Sequence, residues 1–425
     1  MSSRAVLPLQ AGRGPYPNQE TVMVDHRKLG RELELFHADP LSGAGLPIWL
    51  PAGAAARHSI EEYLRELERR AGYQHVYSPP LGRRELFQLS GHLGYFEDDM
   101  FPPLRLSDDD EFLLRPALCP HHCLVFRSRG RSYRELPLRV AELGAMYRPE
   151  RSGVLGGLSR VRAISLNDAH NFCAEEQVGA EVAEILDLIR VAHAALGVRP
   201  AGFRLSLRGP GEKYVGDDGM WHRAENLLRD ALSGLPYVEA AGEAAFYGPK
   251  IDIQIRDGAG REQTLATIQL DFDKPARFDL SYTDRHGRRA RPVLVHRSLV
   301  GSLERLFAYL TEVHDGAFPA WYAPMQVQVL PVGPAQVEAA EAVRRAYLAA
   351  GLRVELVSDG SLGARVRAAI ARRVPYAAVV GAREAAAGQL SLRLRDGREL
   401  PPMAVDAAVS LVSAVVRNRS AELLR

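Results

Sequence analysis

The apolar pattern changes character once along the 425-residue chain, near Phe318-Pro319, and that break restricts the possible folds more than any other feature. Before it, short β-like runs interrupted by Pro and Gly outnumber helical patterns. The spacing predicts strands over His75–Ser78, Phe112–Arg115, Ala141–Tyr147, Val161–Leu166, Phe203–Leu207, Lys250–Arg256 and Thr264–Asp271. Helical periodicity predicts helices over His26–Phe36, Ala54–Ala71, Cys119–Ser128, Gln177–Leu196 and Met220–Ser233. Strands without regular βαβ alternation imply an α+β arrangement, a mixed antiparallel sheet with flanking helices. After the break, strands are expected at Gln326–Val332, Arg353–Val357, Tyr376–Val380 and Gln389–Arg395, and helices at Ala335–Ala350, Leu362–Arg373 and Met403–Arg417. This alternation describes a small α/β domain of about 100 residues. The expected division is a flexible leader over 1–22, a large domain over 23–322 and a small one over 323–425.

Composition excludes some functions and favours others. No apolar run approaches the ~18–20 residues of a membrane helix, so no membrane partner is expected. The segment Met1–Glu20 lacks the apolar core of a secretory signal, and three cysteines (Cys119, Cys123, Cys173) do not make a disulfide framework. A cytoplasmic location follows as the expectation. From Pro324 onward 14 Arg oppose 9 Asp and Glu, giving +5 on a chain whose net charge is +2. That basic segment suggests a polyanionic partner. Lysine occurs four times (Lys28, Lys213, Lys250, Lys274) among 54 cations, so 54 − 4 = 50 are Arg. A lysine retained in such a chain is expected where a compact ammonium is required.

Three constellations could carry chemistry. Cys119-Pro-His-His-Cys123 precedes His170-Asn-Phe-Cys173, with His296 much further on. Core-filling cysteines, a closed structural metal site of Cys119, Cys123, His170 and Cys173, and an open three-ligand catalytic site all fit that spacing, and between the two metal sites the spacing slightly favours the closed one. Tyr147-Arg148-Pro149-Glu150 leads through a Gly-rich loop to Arg160, and Gly301-Ser302-Leu303-Glu304-Arg305 opens a helix-like run. Arginines beside such loops can clamp phosphate, although an isolated Arg near Glu is more often a surface ion pair. In Phe246-Tyr247-Gly248-Pro249-Lys250, a scarce lysine heads a strand after a tight turn.

Taken together these strings resemble the threonyl-tRNA synthetase family, from about Asp25-His-Arg-Lys-Leu-Gly to the C-terminus. Pro79 matches the dimer-interface proline of class II motif 1, Tyr147-Arg148-x-Glu150 matches motif 2, and Gly301-x-x-Glu304-Arg305 matches motif 3. More specific are Cys119-Pro, Asn167-Asp168-Ala169-His170, Tyr247-Gly-Pro-Lys250 and His296-Arg-Ser-Leu-Val-Gly-Ser302. The resemblance implies a class II synthetase sheet followed by an anticodon-binding domain. It also implies an enzyme that activates L-threonine with ATP and transfers it to the 3′ end of a tRNA. One zinc ion per chain would be held by Cys119, His170 and His296, with Cys123 and Cys173 left structural.

The resemblance assigns further roles residue by residue. Arg148, Lys250 and Arg305 would be catalytic, holding carboxylate and phosphates, and His92 would assist transfer to the terminal ribose. Asp168, Tyr247 and Ser298 would contact the amino acid. ATP would meet Arg148, Glu150, Arg160, Gln269, Ser302 and Arg305, together with Mg²⁺. The chain would form a homodimer. A hydroxyl-reading site of this kind rejects valine far better than an apolar pocket could.

The chain departs from the family pattern in places. Leu166 stands where the family usually has Gln, Thr264, Leu265 and Ala266 differ from the expected Gln, small residue and Gly, and Ser298 replaces a common Ala. Asp359, Ala386 and Asp396 occupy positions where polar or basic RNA-reading residues are expected. The sequence leaves no room before His26 for the family's ubiquitin-like and editing domains, so the expectation is a short form that also charges serine. The alternatives are a synthetase-like enzyme adenylating threonine or a related β-hydroxy amino acid for another acceptor, and a non-catalytic regulatory paralogue.

Overall fold

The structure, a computed structural model, describes residues 24–107, 110–211 and 214–424. The leader expected over 1–22 lies outside the described residues. Eight strands form the main sheet: β1 (Gln74–His75), β2 (Leu138–Tyr147), β3 (Ala163–Cys173), β4 (Gly202–Leu207), β5 (Tyr237–Ala241), β6 (Lys250–Arg256), β7 (Glu262–Asp271) and β8 (Val293–Ser298). Their order is β5-β4-β6-β7-β8-β3-β2-β1. The interior pairs are antiparallel, and the outermost pair at each edge is parallel.

The pleat sorts side chains by parity. Ile251, Ile253, Ile268, Leu270 and Val295 are buried in one large apolar cluster. That cluster includes Val182, Ile185 and Ile189 of helix α3 (Val178–Leu196), which packs on the sheet. The opposite parity carries the polar residues. Lys250 pairs with Gln269, Gln269 with His296, and His296 with His170, so four distant residues form one row across four strands.

Other helices frame this row. Helix α1 (Pro51–Arg70) begins three residues before its expected start, because proline at the first helical position lacks only an N–H that would be unpaired anyway. Helix α2 (Cys119–Arg127) carries Cys119 at its first turn, α4 (Asp218–Ala231) flanks the sheet, and α5 (Leu303–Val313) follows β8. The helix expected over His26–Phe36 stops at Glu32, since Glu34 adopts φ 53° and Phe36–His37 pairs with Ile48–Trp49. Phe112 belongs to a separate three-stranded sheet of Leu81–Arg83, Leu104–Ser107 and Asp110–Leu114.

In the main sheet, β5, β8 and the C-terminal part of β3 escaped the periodicity. β8 is buried at all six positions, so Val-Leu-Val-His-Arg-Ser shows no alternation of apolar and polar. β3 likewise continues through Asn167–Cys173 with every residue buried.

The second sheet comprises β9 (Val327–Pro331), β10 (Val354–Leu356), β11 (Tyr376–Val380), β12 (Gln389–Leu394) and β13 (Met403–Ala404), in the order β10-β9-β11-β12-β13. Helices α6 (Val337–Ala349), α7 (Leu362–Ala371) and α8 (Val405–Arg417) accompany it, as does a short helix at Ala382–Ala387 that the sequence reading lacked. Its core gathers Val327, Val329, Tyr376, Leu390, Leu392 and Val412. Arg353 ties this part to the first, donating to Ser59 Oγ at 2.9 Å and to the Ala323 carbonyl at 3.0 Å.

Candidate active site

The polar row opens into a cavity of about 420 Å³, and all fourteen residues singled out as site candidates line it. At one end, ligand atoms of Cys119, His170 and His296 lie within 4.8 Å of one another, all three residues buried. His170 Nε2 and His296 Nδ1 face each other at 2.9 Å. Their remaining nitrogens are held from behind. His296 Nε2 lies 2.9 Å from Asp271 Oδ2, and His170 Nδ1 lies 2.7 Å from His122 Nδ1. His122 in turn meets Glu142 at 3.1 Å, and Glu142 meets Arg115 at 3.0 Å.

Burial, then the neighbouring imidazoles, push the pKa of His170 well below its usual value. Burial also lowers that of His296, against the pull of Asp271. Both rings are therefore neutral, the form that binds metals. Burial pushes the Cys119 thiol up to about 12, so a cation is what would hold it as thiolate. One thiol and two imidazoles, with carboxylate- and histidine-backed rings, fit a metal ion that keeps an open coordination position. The closed four-ligand arrangement is not formed. Cys123 packs with Phe126, Leu138 and Phe172, while Cys173 joins the main core with its Sγ 3.8 Å from the Val293 carbonyl.

At the other end lie two guanidiniums without acidic partners in ion-pair range among the described residues. Arg305 donates to the carbonyls of Ser159 and Thr264, each at 3.3 Å, and Arg148 reaches only the Pro116 carbonyl at 3.5 Å. Arg148 stays accessible through the cavity, yet the protein around both residues lowers their pKa by desolvation. Such cations are suited to an arriving anion. Arg160 pairs with Glu150 at 2.8 Å, and Lys250 with Asp252 at 3.1 Å.

The remaining candidates sit between these ends. His92 lies 2.7 Å from Ser90 Oγ, and burial with the nearby Lys274 and Arg148 cations keeps it neutral. Burial raises the Asp168 carboxyl to about 7. The Tyr247 ring stacks on His296 at 5.1 Å, and its hydroxyl donates to Gln269 Oε1. Two hydroxyls are already engaged with backbone. Ser302 Oγ caps α5 by accepting from Arg305 N, and Ser298 Oγ donates to the Asn167 carbonyl while accepting from Gly301 N.

Sequence reasoning missed the residues behind the site: His122, Glu142, Asp252, Asp271 and Lys274. The Lys274 ammonium is fully buried, 3.1 Å from Asp271 and 3.7 Å from the Tyr247 ring centre. The scarcity of lysine was the signal that could have found it.

An antiparallel sheet bearing this cavity, followed by a smaller α/β sheet, defines a class II aminoacyl-tRNA synthetase. The family described as "tRNA synthetase class II core domain (G, H, P, S and T)" matches residues 104–314, and "Anticodon binding domain" matches 326–415. A threonine–tRNA ligase of Geobacillus sp. (strain WCH70) is 46% identical over 406 residues, covering 94% of this chain and 63% of that protein. The chain thus spans about three fifths of the length of the curated relatives it matches. A crystal structure described as the RNA binding domain of threonyl-tRNA synthetase from Cryptosporidium parvum Iowa II superposes with a TM-score of 0.86 at 34% identity, covering 92% of this chain and 98% of that one. A putative threonyl-tRNA synthetase, ThrRS-1, from Aeropyrum pernix gives 0.82 at 29% identity, covering 94% and 98%. The chain belongs to the threonyl-tRNA synthetase family.

Proposed function

We propose that the chain activates L-threonine with ATP and Mg²⁺ to threonyl-adenylate and transfers the threonyl group to the 3′ end of tRNA(Thr). The observation that carries this reading is one cavity with a neutral Cys-His-His cluster at one end and, at the other, two guanidiniums with no acidic partner in ion-pair range among the described residues. Cys119, His170 and His296 would hold one zinc per chain. Zinc bound there would accept the amine and β-hydroxyl that distinguish threonine from valine. Asp168 accepts a hydrogen bond from the hydroxyl, and Tyr247 helps orient the amine. Arg148 and Lys250 stabilise charge developing at the carboxylate and α-phosphate, and Arg305 holds the γ-phosphate; each such contact is worth a few kcal/mol. Glu150, Arg160 and Gln269 bound the nucleotide, and His92, neutral and beside Ser90, can take a proton from the tRNA ribose.

The sheet of β9–β13 reads the tRNA, and its positive charge supports that role. We place the division between the two domains at 322/323, shortly before the strand that starts at Val327. Exposed Tyr77, Leu81, Leu104 and Leu106 around Pro79 support a homodimer. We place the protein in the cytoplasm; no helix of the described residues is long and apolar enough to cross a membrane.

ATP–pyrophosphate exchange over a panel of amino acids, followed by charging of tRNA(Thr), tests the reading. Exchange is expected with threonine and, because serine carries the same amine and hydroxyl, measurably with serine, but not with valine. Charging should follow with threonine. Exchange without charging would instead point to a non-tRNA acceptor, and neither activity would leave a regulatory role.

A further inference from the structure

The Asp25-His-Arg-Lys-Leu-Gly string has no part in the chemistry above, yet its histidine is buried against the site's scaffold. His26 is the first residue of the helix His26–Glu32, and its ring stacks on Phe36. Both ring nitrogens are engaged. Nδ1 lies 2.6 Å from Glu312 Oε1, and Nε2 accepts the Leu158 backbone N–H at 3.1 Å. An acceptor at Nε2 leaves the proton on Nδ1, where it is donated to the carboxylate. The other oxygen of Glu312 takes the Gly258 N–H at 2.9 Å, which fixes the carboxylate.

These contacts join two elements that carry the arginines assigned to ATP. Glu312 lies at the end of α5, the helix whose first turn holds Arg305. Leu158 lies in the tight turn that ends in Arg160. That turn is closed by the Ser159 N–H donating to Gly156 O at 2.9 Å, and its Ser159 carbonyl accepts from Arg305 Nε. Gly157 at the turn's apex has φ 59°, and a Cβ there would stand 2.5 Å from His26 Nε2. The imidazole is therefore a spacer packed between turn and helix, hydrogen-bonded to both.

We propose that His26 is a positioning residue that sets the spacing of Arg160 and Arg305, and hence the grip of the cavity on the polyphosphate of ATP. The proposal rests on the assignment of this cavity to ATP. Two hydrogen-bond functions of one ring can be separated by substitution. His26→Asn keeps a donor near Nδ1 for Glu312 but removes the acceptor for Leu158. His26→Gln reaches the Leu158 N–H with its Oε1 but loses the Nδ1 donor.

The test measures the dissociation constant of a non-hydrolysable ATP analogue by calorimetry, together with KM for ATP and for threonine in pyrophosphate exchange. His26→Leu and His26→Asn are expected to raise the nucleotide constants by roughly ten-fold, the order of one lost buried hydrogen bond. The KM for threonine should stay within about two-fold, and His26→Gln should recover part of the loss. Gly157→Ala, which perturbs the same contact from the turn side, should reproduce the nucleotide defect even if His26→Leu fails to fold. Unchanged analogue binding in His26→Asn and Gly157→Ala, or an equal rise in both KM values, would overturn the proposal. If the unsubstituted protein shows no exchange yet binds the analogue, the catalytic reading fails, while the analogue constants still decide the role of His26. If it binds no nucleotide, both fail.

Discussion

Asp271 is the most heavily used residue behind the site. Its Oδ2 meets both Lys274 Nζ and His296 Nε2, while Oδ1 accepts the backbone N–H groups of Asp273 and Lys274. Burial alone would raise its pKa, but Lys274 and His296 hold the carboxylate at about 2. Removing one member of a fully buried pair strands the other charge, so Lys274→Met is expected to cost roughly 3–5 kcal/mol. A urea midpoint unchanged from that of the unsubstituted protein would contradict this. On the other imidazole, His122 orients His170 from outside the donor set. Its replacement by Ala should weaken zinc retention roughly 10–100-fold in competition with a chelator. Equal retention would mean that His122 is only packing.

At the scale of elements, α3 is pinned to the site by its last turn. His193, almost fully buried, lies 2.9 Å from the Leu299 carbonyl through Nε2, and that carbonyl follows directly on β8. Burial lowers its pKa from 6.5 to about 4. The folded protein therefore prefers the neutral ring, and the unfolded chain binds the proton first. The stability contributed is fully present above about pH 6.5 and is lost as pH falls toward 4. Chemical denaturation across that range should show stability falling with pH, and His193→Gln should reduce the slope by up to about one proton. An identical slope in the variant would remove His193 from the acid response, leaving the other histidines that burial lowers as its source, among them His314 at about 4 and His92, His170 and His296.

At the scale of the whole molecule, apolar side chains stand in the open near Pro79. Tyr77 is 86% exposed in the segment after β1, and Leu106 is 77% exposed on the small-sheet strand Leu104–Ser107, outside either core. Sedimentation should find a dimer, and Tyr77→Asp combined with Leu106→Asp should shift it to monomer while leaving the fold intact. A monomer before substitution would sink the assignment. The basic second sheet is less open to RNA than its net charge suggests. Asp396, flagged as a departure, pairs with Arg398 at 2.9 Å and so occupies one of the cations available there.

The sequence by itself showed the change of pattern near residue 319 and the fold class, because periodicity is a local property of the chain, and its motifs supplied the site candidates that line one cavity. The rarity of lysine was a sequence signal for Lys274, but its place behind the site emerged only in the fold. Tertiary structure alone decided that β8 and the second half of β3 are strands, since segments buried on both faces show no alternation. Only the sheet register could bring Lys250, Gln269, His296 and His170 into one row. Which ring nitrogen faces the donor cluster depends on Asp271 and His122 behind it, and those contacts span dozens of residues of chain. That is why the Cys119, His170 and His296 cluster was legible in the sequence and the groups behind it were not.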